Sequence, residues 1–220
     1  MLIEIPLKCR AVVQAAKKKP HLKVMCGFSR RFDDSYRDAY AKMEQGLIGR
    51  PAIIRSQTCD KFDPSGFYVE YAAWSGGVFV DMSVHDIDLS LWFFGDEVLP
   101  KSISAHGITA VQPELKKYND YDNAVGIVEF WNGKIAYYYC SRMMAAGQED
   151  TTEIIGTEGK LTVNGNPQQN FVNLYHNGGI TREIPHNFMG RFSPAFVQEA
   201  NDFTAACLDN TPLPMKLTNA

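Results

Sequence analysis

Two carboxylates and an imidazole recur at helical spacing within the apolar stretch 76–92. Asp81, His85 and Asp88 stand at positions i, i+4 and i+7, with Trp92 at i+11. At about 100° per residue, these side chains fall within roughly a 40° arc of one helix face. Burying such groups costs free energy unless they are paired or used in chemistry. A carboxylate four residues before a histidine can orient the imidazole and raise its pKa, which suits a proton shuttle.

Two roles for the Asp81–His85 pair are open at this point. In one, the pair moves protons; in the other, it is a satisfied contact inside a buried helix. A lone carboxylate and histidine at this spacing would favour the structural role. The second carboxylate, the glycine pair at 76–77 and the absence of lysine or arginine from the stripe bring the two roles into balance.

The bulk composition is that of an ordinary globular protein. The chain has 220 residues, of which 45% are hydrophobic and 21% are charged, and its formal net charge is −3. This length can bury a sizeable core, as one large domain or two small ones. No basic run exceeds the three lysines at 17–19, which argues against nucleic acid as a partner.

Cysteine usage and hydropathy bear on the compartment. The five cysteines are odd in number and show no C-x-x-C spacing, which argues for reduced thiols and against a zinc site. No apolar run approaches the length of about 20 residues that spans a bilayer. The N-terminus also lacks the pattern of a signal peptide. We therefore expect a cytoplasmic protein with no metal and no membrane partner.

The elements that must position these residues alternate between helix and strand at first and are mostly strands after the central helix. Besides that helix, the pattern predicts helices over 7–19, from 34 or 35 to 45, and over 194–208. Strands are predicted over 22–28, 52–58, 102–107, 124–131, 134–142, 152–155, 160–163, 171–175 and 181–184. Asn132 and Gly133 form a strong hairpin signal.

A stretch rich in aromatic residues, 60–75, has no regular period. It predicts a long loop, and loops of this length are usually functional or mobile. Such a loop could cover a ligand, and Phe67, Tyr68 and Trp74 are its candidate substrate contacts. The alternative is that these aromatic side chains fill the core.

The strand predicted over 134–142 carries bulky or apolar side chains on both faces, in the run 135–140. A sheet covered by helices on one face would then need a second cover on the other. A homodimer formed between sheet faces would supply that cover. Aromatic packing within a monomer is the alternative.

Four short motifs follow one another along the chain. They are E-I-P-L at 4–7, G-F-S-R-R-F-D at 27–33, the glycines at 46 and 49 with the helix 76–92, and G-T-E-G at 156–159 with Phe196, Glu199 and Phe203. In this order they resemble the Gfo/Idh/MocA family of nicotinamide-dependent oxidoreductases, which act mostly on sugars and inositols.

The resemblance implies an α+β fold. We expect an open, mainly antiparallel β-sheet with helices on one face, preceded by a remnant helix and strand of a Rossmann domain. Residues 1–32 would be this remnant of the nucleotide-binding domain, and residues 33–220 would be the C-terminal substrate and dimerisation domain.

Two departures from the family's pattern bear on the chemistry. The family's nucleotide domain begins with a G-x-G-x-x-G loop that holds the pyrophosphate, and this sequence has none. The family's E-K-P motif carries a lysine that acts as a catalytic acid/base or orienting residue, and Ile5 stands at that position. The resemblance then leaves His85 as the general base and Asp81 as its partner or as a ligand of a substrate hydroxyl. We expect no cofactor-binding residues.

The remaining candidates for substrate contact are Asp88, Arg30 and Arg31. By resemblance, Asp88 anchors the helix or a neighbouring loop, and the two arginines lie near the junction of the nucleotide and substrate domains. They would pair with Asp33, Asp34 or an acidic ligand, and structural pairing is expected for at least one of them.

Three functions fit these observations. We favour cofactor-independent acid–base chemistry on a small organic substrate, of the isomerase, lyase, dehydratase or cyclase type, by the Asp81/His85 pair. A placed acid or base supplies about 10²- to 10⁴-fold in rate, which suffices for proton transfer. The second is the substrate domain of an NAD(P)-dependent sugar or inositol dehydrogenase, which would be redox-inactive without a separate Rossmann domain. The third is a non-catalytic binding or dimerisation module.

Overall fold

A six-stranded sheet in this protein carries three of the described helices on one face. The computed structural model describes residues 4–219, with side chains over 6–218. Its helices are α1 (Glu4–Lys17), α2 (Asp34–Glu44), α3 (Phe67–Tyr71), α4 (Val84–Phe94) and α5 (Phe188–Leu208). A π-helical turn, Phe79–Ser83, leads directly into α4.

Eight strands lie within the described residues. They are β1 (Pro51–Lys61), β2 (Pro100–Ile108), β3 (Asn123–Phe130), β4 (Ile135–Met144), β5 (Glu149–Gly156), β6 (Lys160–Val163), β7 (Leu174–His176) and β8 (Gly179–Thr181). The first six form the sheet in the order β2-β3-β4-β1-β5-β6, and β7 and β8 form a separate ribbon. Only the β1–β4 pair among the described strands is parallel. The predicted α+β class with a mainly antiparallel sheet is confirmed.

Alternation along the strands decides which side chains face the helices. On β1, Ile54, Ser56 and Thr58 are buried, whereas Ile53 and Arg55, which alternate with them, are exposed. The buried face packs against α2, α4 and α5 in the main core, which includes Tyr36, Leu89, Phe192, Ala136 and Ile154. The same alternation carries Asp60 towards the helices at the end of β1.

The outer face of the sheet keeps apolar side chains in solvent. Ile127 is 47% exposed, Ile135 is 40% exposed and Ile53 is 36% exposed. On β4, Tyr138 and Cys140 point into the core, while Tyr137 and Tyr139 are half-buried on the opposite face. Both faces of β4 therefore carry large side chains, as the sequence indicates, and the expected homodimer stays a prediction.

The structure reproduces the turn predicted from adjacent residues, but not the strand whose formation depends on a neighbouring strand. The turn at Asn132 and Gly133 is confirmed, with the Phe130 amide donating to the Lys134 carbonyl at 2.9 Å. Residues 22–28, predicted as a strand, have no strand pairing in the described part of the chain. A strand needs a neighbour to accept its ladder bonds, and the described sheet offers this segment none. Ile5, which stands at the position of the family's lysine, lies outside the residues whose side chains the structure describes.

None of the helices within residues 4–219 combines the length and hydropathy needed to cross a bilayer.

Candidate active site

A cavity of about 470 Å³ opens between the inner face of the sheet and the helices. That volume lies within the range of about 300–1,000 Å³ typical of small-molecule sites. Of the residues singled out from the sequence, the cavity is lined by His85, Asp81, Arg30, Phe67 and Tyr68. Asp88, Arg31 and Trp74 lie outside its lining.

His85 presents a neutral imidazole to this cavity. Its ring meets the Phe28 ring edge-on, with centroids 5.8 Å apart, and its buried Nδ1 has no hydrogen-bond partner among the residues that the structure describes. Burial, together with the positive charge of Arg30, lowers the pKa of His85 to about 4. The sequence predicts the opposite direction, because it places a carboxylate beside the ring. At neutral pH the imidazole is therefore uncharged and able to accept a proton.

Asp81 is held by other partners than His85. Its Oδ1 accepts a hydrogen bond from Tyr71 Oη at 3.0 Å, and its Oδ2 forms an ion pair with Arg142 Nη2. Arg142 is completely buried, and its Nε also donates to Met82 Sδ. No hydrogen bond joins Asp81 to His85 among the described residues. The expected carboxylate–imidazole pair is thus replaced by a carboxylate–guanidinium pair.

The π-helical turn explains why the predicted stripe is broken. A π-turn closes with i→i+5 bonds and holds one residue more than an α-helical turn, so directions before it do not follow 100° per residue. Gly76 (φ +88°) and Gly77 (φ +92°) start it in the left-handed region that glycine tolerates. Asp120 Oδ1 accepts from the Val78 amide at 2.9 Å, which fixes the residue just before the turn.

Arg30 is the centre of a buried polar network under the cavity. Its Nη1 lies 2.6 Å from Asp86 Oδ1, and its Nη2 lies 3.1 Å from Asp150 Oδ1 and 2.5 Å from Thr58 Oγ1. Ser56 Oγ donates to Asp86 Oδ1 at 2.6 Å. The expected partners Asp33 and Asp34 are not used, because Arg30 points into the core rather than along its own segment.

Asp150 is the second acid of this network and lines the cavity. Burial raises the pKa of Asp150 to about 6, although the Arg30 charge opposes the shift. Gln148 Nε2 donates to both carboxylate oxygens, at 3.3 and 3.2 Å. A neutral imidazole and a buried carboxyl whose pKa is raised to about 6 therefore share one cavity.

Arg31 and Asp88 form a structural pair away from the cavity. Arg31 Nε donates to Asp88 Oδ2 at 2.8 Å and Arg31 Nη2 to Oδ1 at 2.8 Å, with side chains 8% and 1% exposed. The Arg31 guanidinium also lies over the Trp92 ring, 5.4 Å from its centroid. Each is engaged by the other and neither lines the cavity, so their prediction as substrate contacts gains no support from this geometry. The anchoring role expected for Asp88 matches this geometry.

Some aromatic side chains of the stretch 60–75 line the cavity, and others lie at the protein surface. Phe67 and Tyr68 on α3 line the cavity, as does Tyr71, which the sequence did not single out. Trp74 is 68% exposed and meets Tyr71 edge-on from outside. Its prediction as a substrate contact gains no support from this geometry, because Trp74 lies beyond the end of α3 and outside the cavity lining.

Other lining residues were missed for identifiable reasons. Phe188, Phe192 and Phe196 face the cavity from α5, which begins six residues before the predicted start at Pro194. Asn187 caps the added turns by accepting from the Gly190 amide at 3.1 Å. Asp60 also lines the cavity, and the alternation of β1 was the signal that could have found it.

A metal ion and a dinucleotide cofactor are two groups that such a site could hold. No set of three or more histidine, cysteine, aspartate or glutamate side chains is arranged for a metal within residues 4–219. A dinucleotide diphosphate needs a strand, a glycine-rich loop and a helix N-terminus in succession. Gly156 and Gly159 instead close the β5–β6 turn, with the Gly156 amide donating to the Gly159 carbonyl at 2.8 Å. These residues do not fit a dinucleotide.

Known proteins share this architecture. The chain is 32% identical over 203 residues to scyllo-inositol 2-dehydrogenase (NAD(+)) of Bacillus subtilis (strain 168). The aligned region covers 91% of this chain and 57% of that protein. A crystal structure of scyllo-inositol dehydrogenase from Lactobacillus casei with bound cofactor NAD(H) and scyllo-inositol matches with a TM-score of 0.89 and 34% identity. Myo-inositol 2-dehydrogenase from Lactobacillus plantarum matches with a TM-score of 0.90 and 28% identity. Each structural match covers 96% of this chain and 62% of the other.

The chain thus spans well over half, but less than two thirds, of the relatives that it matches. The family model for the GFO/IDH/MocA C-terminal domain matches residues 36–162. That range contains β1, the π-helical turn and α4, the elements that bring Asp60, Asp81 and His85 to the cavity. With this match and 32% identity to a relative across 91% of its length, the chain belongs to the Gfo/Idh/MocA family.

Proposed function

We propose that this chain is the substrate-binding and proton-accepting part of a dehydrogenase for cyclic polyols of the inositol type. The observation that carries the proposal is the neutral, unpaired imidazole of His85 on a cavity that also exposes fixed carboxylates. The names of the relatives above support the substrate class.

The proton chemistry follows from the side chains present. Oxidation of a secondary alcohol removes a proton from the hydroxyl oxygen and a hydride from the carbon. His85 accepts the hydroxyl proton, because burial keeps its imidazole neutral at physiological pH. Asp81, held in place by Tyr71 and Arg142, accepts a hydrogen bond from a neighbouring hydroxyl. The rings of Phe67 and Phe192 pack against the C–H face of the polyol.

The hydride has no acceptor among the residues described here. NAD, when bound to such an enzyme, takes up the hydride. Since the described residues do not fit its diphosphate, no step of this chain is assigned to that group. Proton transfer and substrate orientation are the share of the reaction that these residues carry.

A second candidate is cofactor-independent proton transfer, the function favoured from the sequence. It is supported by the pairing of a base, His85, with a carboxyl whose pKa is raised to about 6, Asp150, in one cavity. The relatives give it no support, because the function in their names is oxidation. It therefore ranks behind the dehydrogenase proposal.

Titration calorimetry with scyllo-inositol and myo-inositol tests the first proposal. We expect saturable binding that His85→Gln weakens about tenfold, since one hydrogen bond to the substrate is lost. His106→Gln is the control, because His106 lies exposed on β2 outside the cavity lining. Absence of binding, or equal losses in both variants, contradicts the proposal.

Deuterium exchange separates the second candidate from the first. The ketone scyllo-inosose is incubated with the chain in D₂O without nicotinamide, and proton NMR follows the hydrogens next to the carbonyl. The dehydrogenase proposal expects exchange no faster than in buffer. Accelerated exchange that His85→Gln abolishes would favour cofactor-independent chemistry instead.

A further inference from the structure

The helical segment that carries Asp81 and His85 begins without a cap from its own sequence. Val78, the residue before the π-helical turn, makes no capping hydrogen bond with its side chain. The glycines at 76–77 carry no side chain that could accept from the first amides of the helix. Those amides need acceptors, and glycine leaves the backbone free to rotate. Local sequence therefore does not fix where this helix starts.

Asp120 supplies the missing acceptor from another part of the chain. Its Oδ1 accepts from the Val78 amide at 2.9 Å, although the two residues are 42 positions apart. The same oxygen accepts from the Tyr121 amide at 2.8 Å, which holds the carboxylate against its own loop. Asp120 is 4% exposed, and a Cβ atom added to Gly77 would lie 3.4 Å from its Oδ1. A negative charge packed at a helix N-terminus is also favoured by the helix dipole.

Asp120 does not reach the ligand space. The lining of the cavity that contains Asp81 and His85 does not include it. It borders a separate surface depression instead, together with Lys116 and Asn119. Any influence of Asp120 on a ligand in the cavity must therefore pass through the start of the helix.

A single peptide group links Asp120 to Asp81. The peptide group between Gly77 and Val78 contains the Val78 amide and the Gly77 carbonyl, and such a group is planar. Asp120 binds the amide at 2.9 Å, and the carbonyl accepts from the Asp81 amide at 3.0 Å. The orientation of this plane therefore determines where the first turn begins and how Asp81 leaves it.

We infer that Asp120 is a positioning residue that acts on the bound ligand through Asp81. This inference rests on the proposed function, which assigns a substrate hydroxyl to Asp81. Arg142 holds the carboxylate of Asp81, and Asp120 holds its main chain through the shared peptide plane. Without Asp120 the glycines at 76–77 let that plane rotate, and Asp81 meets the ligand in a smaller share of its conformations.

A double-mutant cycle tests whether the effect passes through Asp81. Scyllo-inositol is titrated into the full chain by calorimetry at pH 7. We expect Asp120→Ala to weaken binding about fivefold, because part of a hydrogen bond to a charged group is lost. In the Asp81→Asn background the same change should alter the affinity less than about twofold, because the charged acceptor is already absent. General damage to the cavity would instead repeat the loss in both backgrounds.

Two further variants separate positioning from stability. Asp120→Asn keeps an oxygen that can cap the helix, so we expect it to bind within about twofold of the parent chain. Asp122→Asn is the matched control in the same loop, since Asp122 is also buried and accepts from the amides of residues 110–112. It should lower stability towards urea and leave the affinity unchanged.

Amide hydrogen exchange tests the cap without any ligand. We expect exchange at Val78, Val80 and Asp81 to quicken about tenfold in Asp120→Ala and to stay near the parent rate in Asp120→Asn. Unchanged exchange in Asp120→Ala overturns the inference, as does an equal loss of affinity in both backgrounds of the cycle. If the parent chain binds scyllo-inositol and Asp120→Ala binds it equally well, only this inference fails. If the parent chain binds none, the proposed function fails and the inference with it.

Discussion

Arg142 and Asp81 form an ion pair beneath the cavity, between the fourth strand of the sheet and the turn that precedes α4. The pair joins side chains 61 residues apart in the sequence. It engages one carboxylate oxygen of Asp81 while Tyr71 donates to the other, and no hydrogen bond joins Asp81 to His85 among the described residues. The base and the carboxylate therefore act as separate groups.

Arg142→Met should destabilise the fold by about 3 kcal/mol, because removal of one partner of a buried ion pair leaves the other charge uncompensated. Urea unfolding at pH 7 measures the loss. Arg55→Met is the matched control. Arg55 pairs with Glu153 on the exposed face of the same sheet, and its loss should cost less than about 1 kcal/mol. Similar losses in the two variants would contradict a special role for Arg142.

His85 should make stability depend on pH in the acidic range. Its pKa is lowered to about 4 in the folded chain, whereas an unfolded chain binds the same proton near pH 6.5. Between these values the unfolded state holds more protons, so the free energy of unfolding falls as pH drops from 6.5 towards 4.

Replacement of His85 by Gln should remove that fall, and urea titrations at pH 7 and pH 4.5 measure the difference between the two proteins. Asp150, with its raised pKa, acts in the opposite direction, but it is present in both. The difference therefore isolates the histidine. A His85 ring that titrates by NMR at pH 6 or above would contradict this account.

Arg31 and Asp88 should matter for folding and not for ligand binding. Asp88→Asn leaves the buried Arg31 guanidinium without its bidentate partner, which should cost about 3 kcal/mol or more in urea unfolding. Calorimetry on the folded variant should return the affinity of the parent chain for scyllo-inositol. A loss of affinity without a loss of stability would restore the direct substrate contact that the sequence suggests.

The exposed apolar face of the sheet should pair with its copy in a second chain. We expect light scattering to give twice the chain mass of 24.7 kDa. Ile127→Lys should give a monomer, because Ile127 is 47% exposed on that face. Ile103→Lys is the control, since Ile103 is 69% exposed but pairs in register with Val128, on the opposite face. A monomer in the parent chain would retire this expectation.

Local periodicity predicted much of this fold. The hairpin at 132–133, the six strands of the main sheet and α2 follow from signals contained within a few residues each, whereas the strands predicted over 22–28, 171–175 and 181–184 do not match the structure. The site depends on contacts between residues that lie far apart in the sequence. Arg30 meets Asp86 and Asp150 across 56 and 120 residues, and no local pattern indicates which carboxylates it selects. Helical spacing did identify His85 and Asp81 as lining residues, but not their partners.

Two helical features were not predicted from the sequence, the start of α5 and the π-helical turn before α4, and both depend on contacts outside the local pattern. A proline usually marks the start or end of a helix, so the turns before Pro194 were assigned outside α5. The Asn187 cap stabilises those turns, and they bring Phe188 and Phe192 to the cavity. The π-helical turn has no compositional signature, since its extra residue is held by Asp120 and Arg142 from distant parts of the chain.

The extra residue of the π-helical turn sets the direction in which the Asp81 side chain points. A π-turn is equivalent to an α-helix with one residue inserted, so the carboxylate direction depends on chain length between Gly77 and Val84 and not on a choice of rotamer. Deletion of Val80 would return the segment to regular pitch, with α4 and His85 unmoved. The residues before the deletion would then turn by about 100° about the helix axis relative to α4, and Asp81 would lose the pitch at which it meets its guanidinium. A single codon therefore separates two different arrangements of the same polar groups.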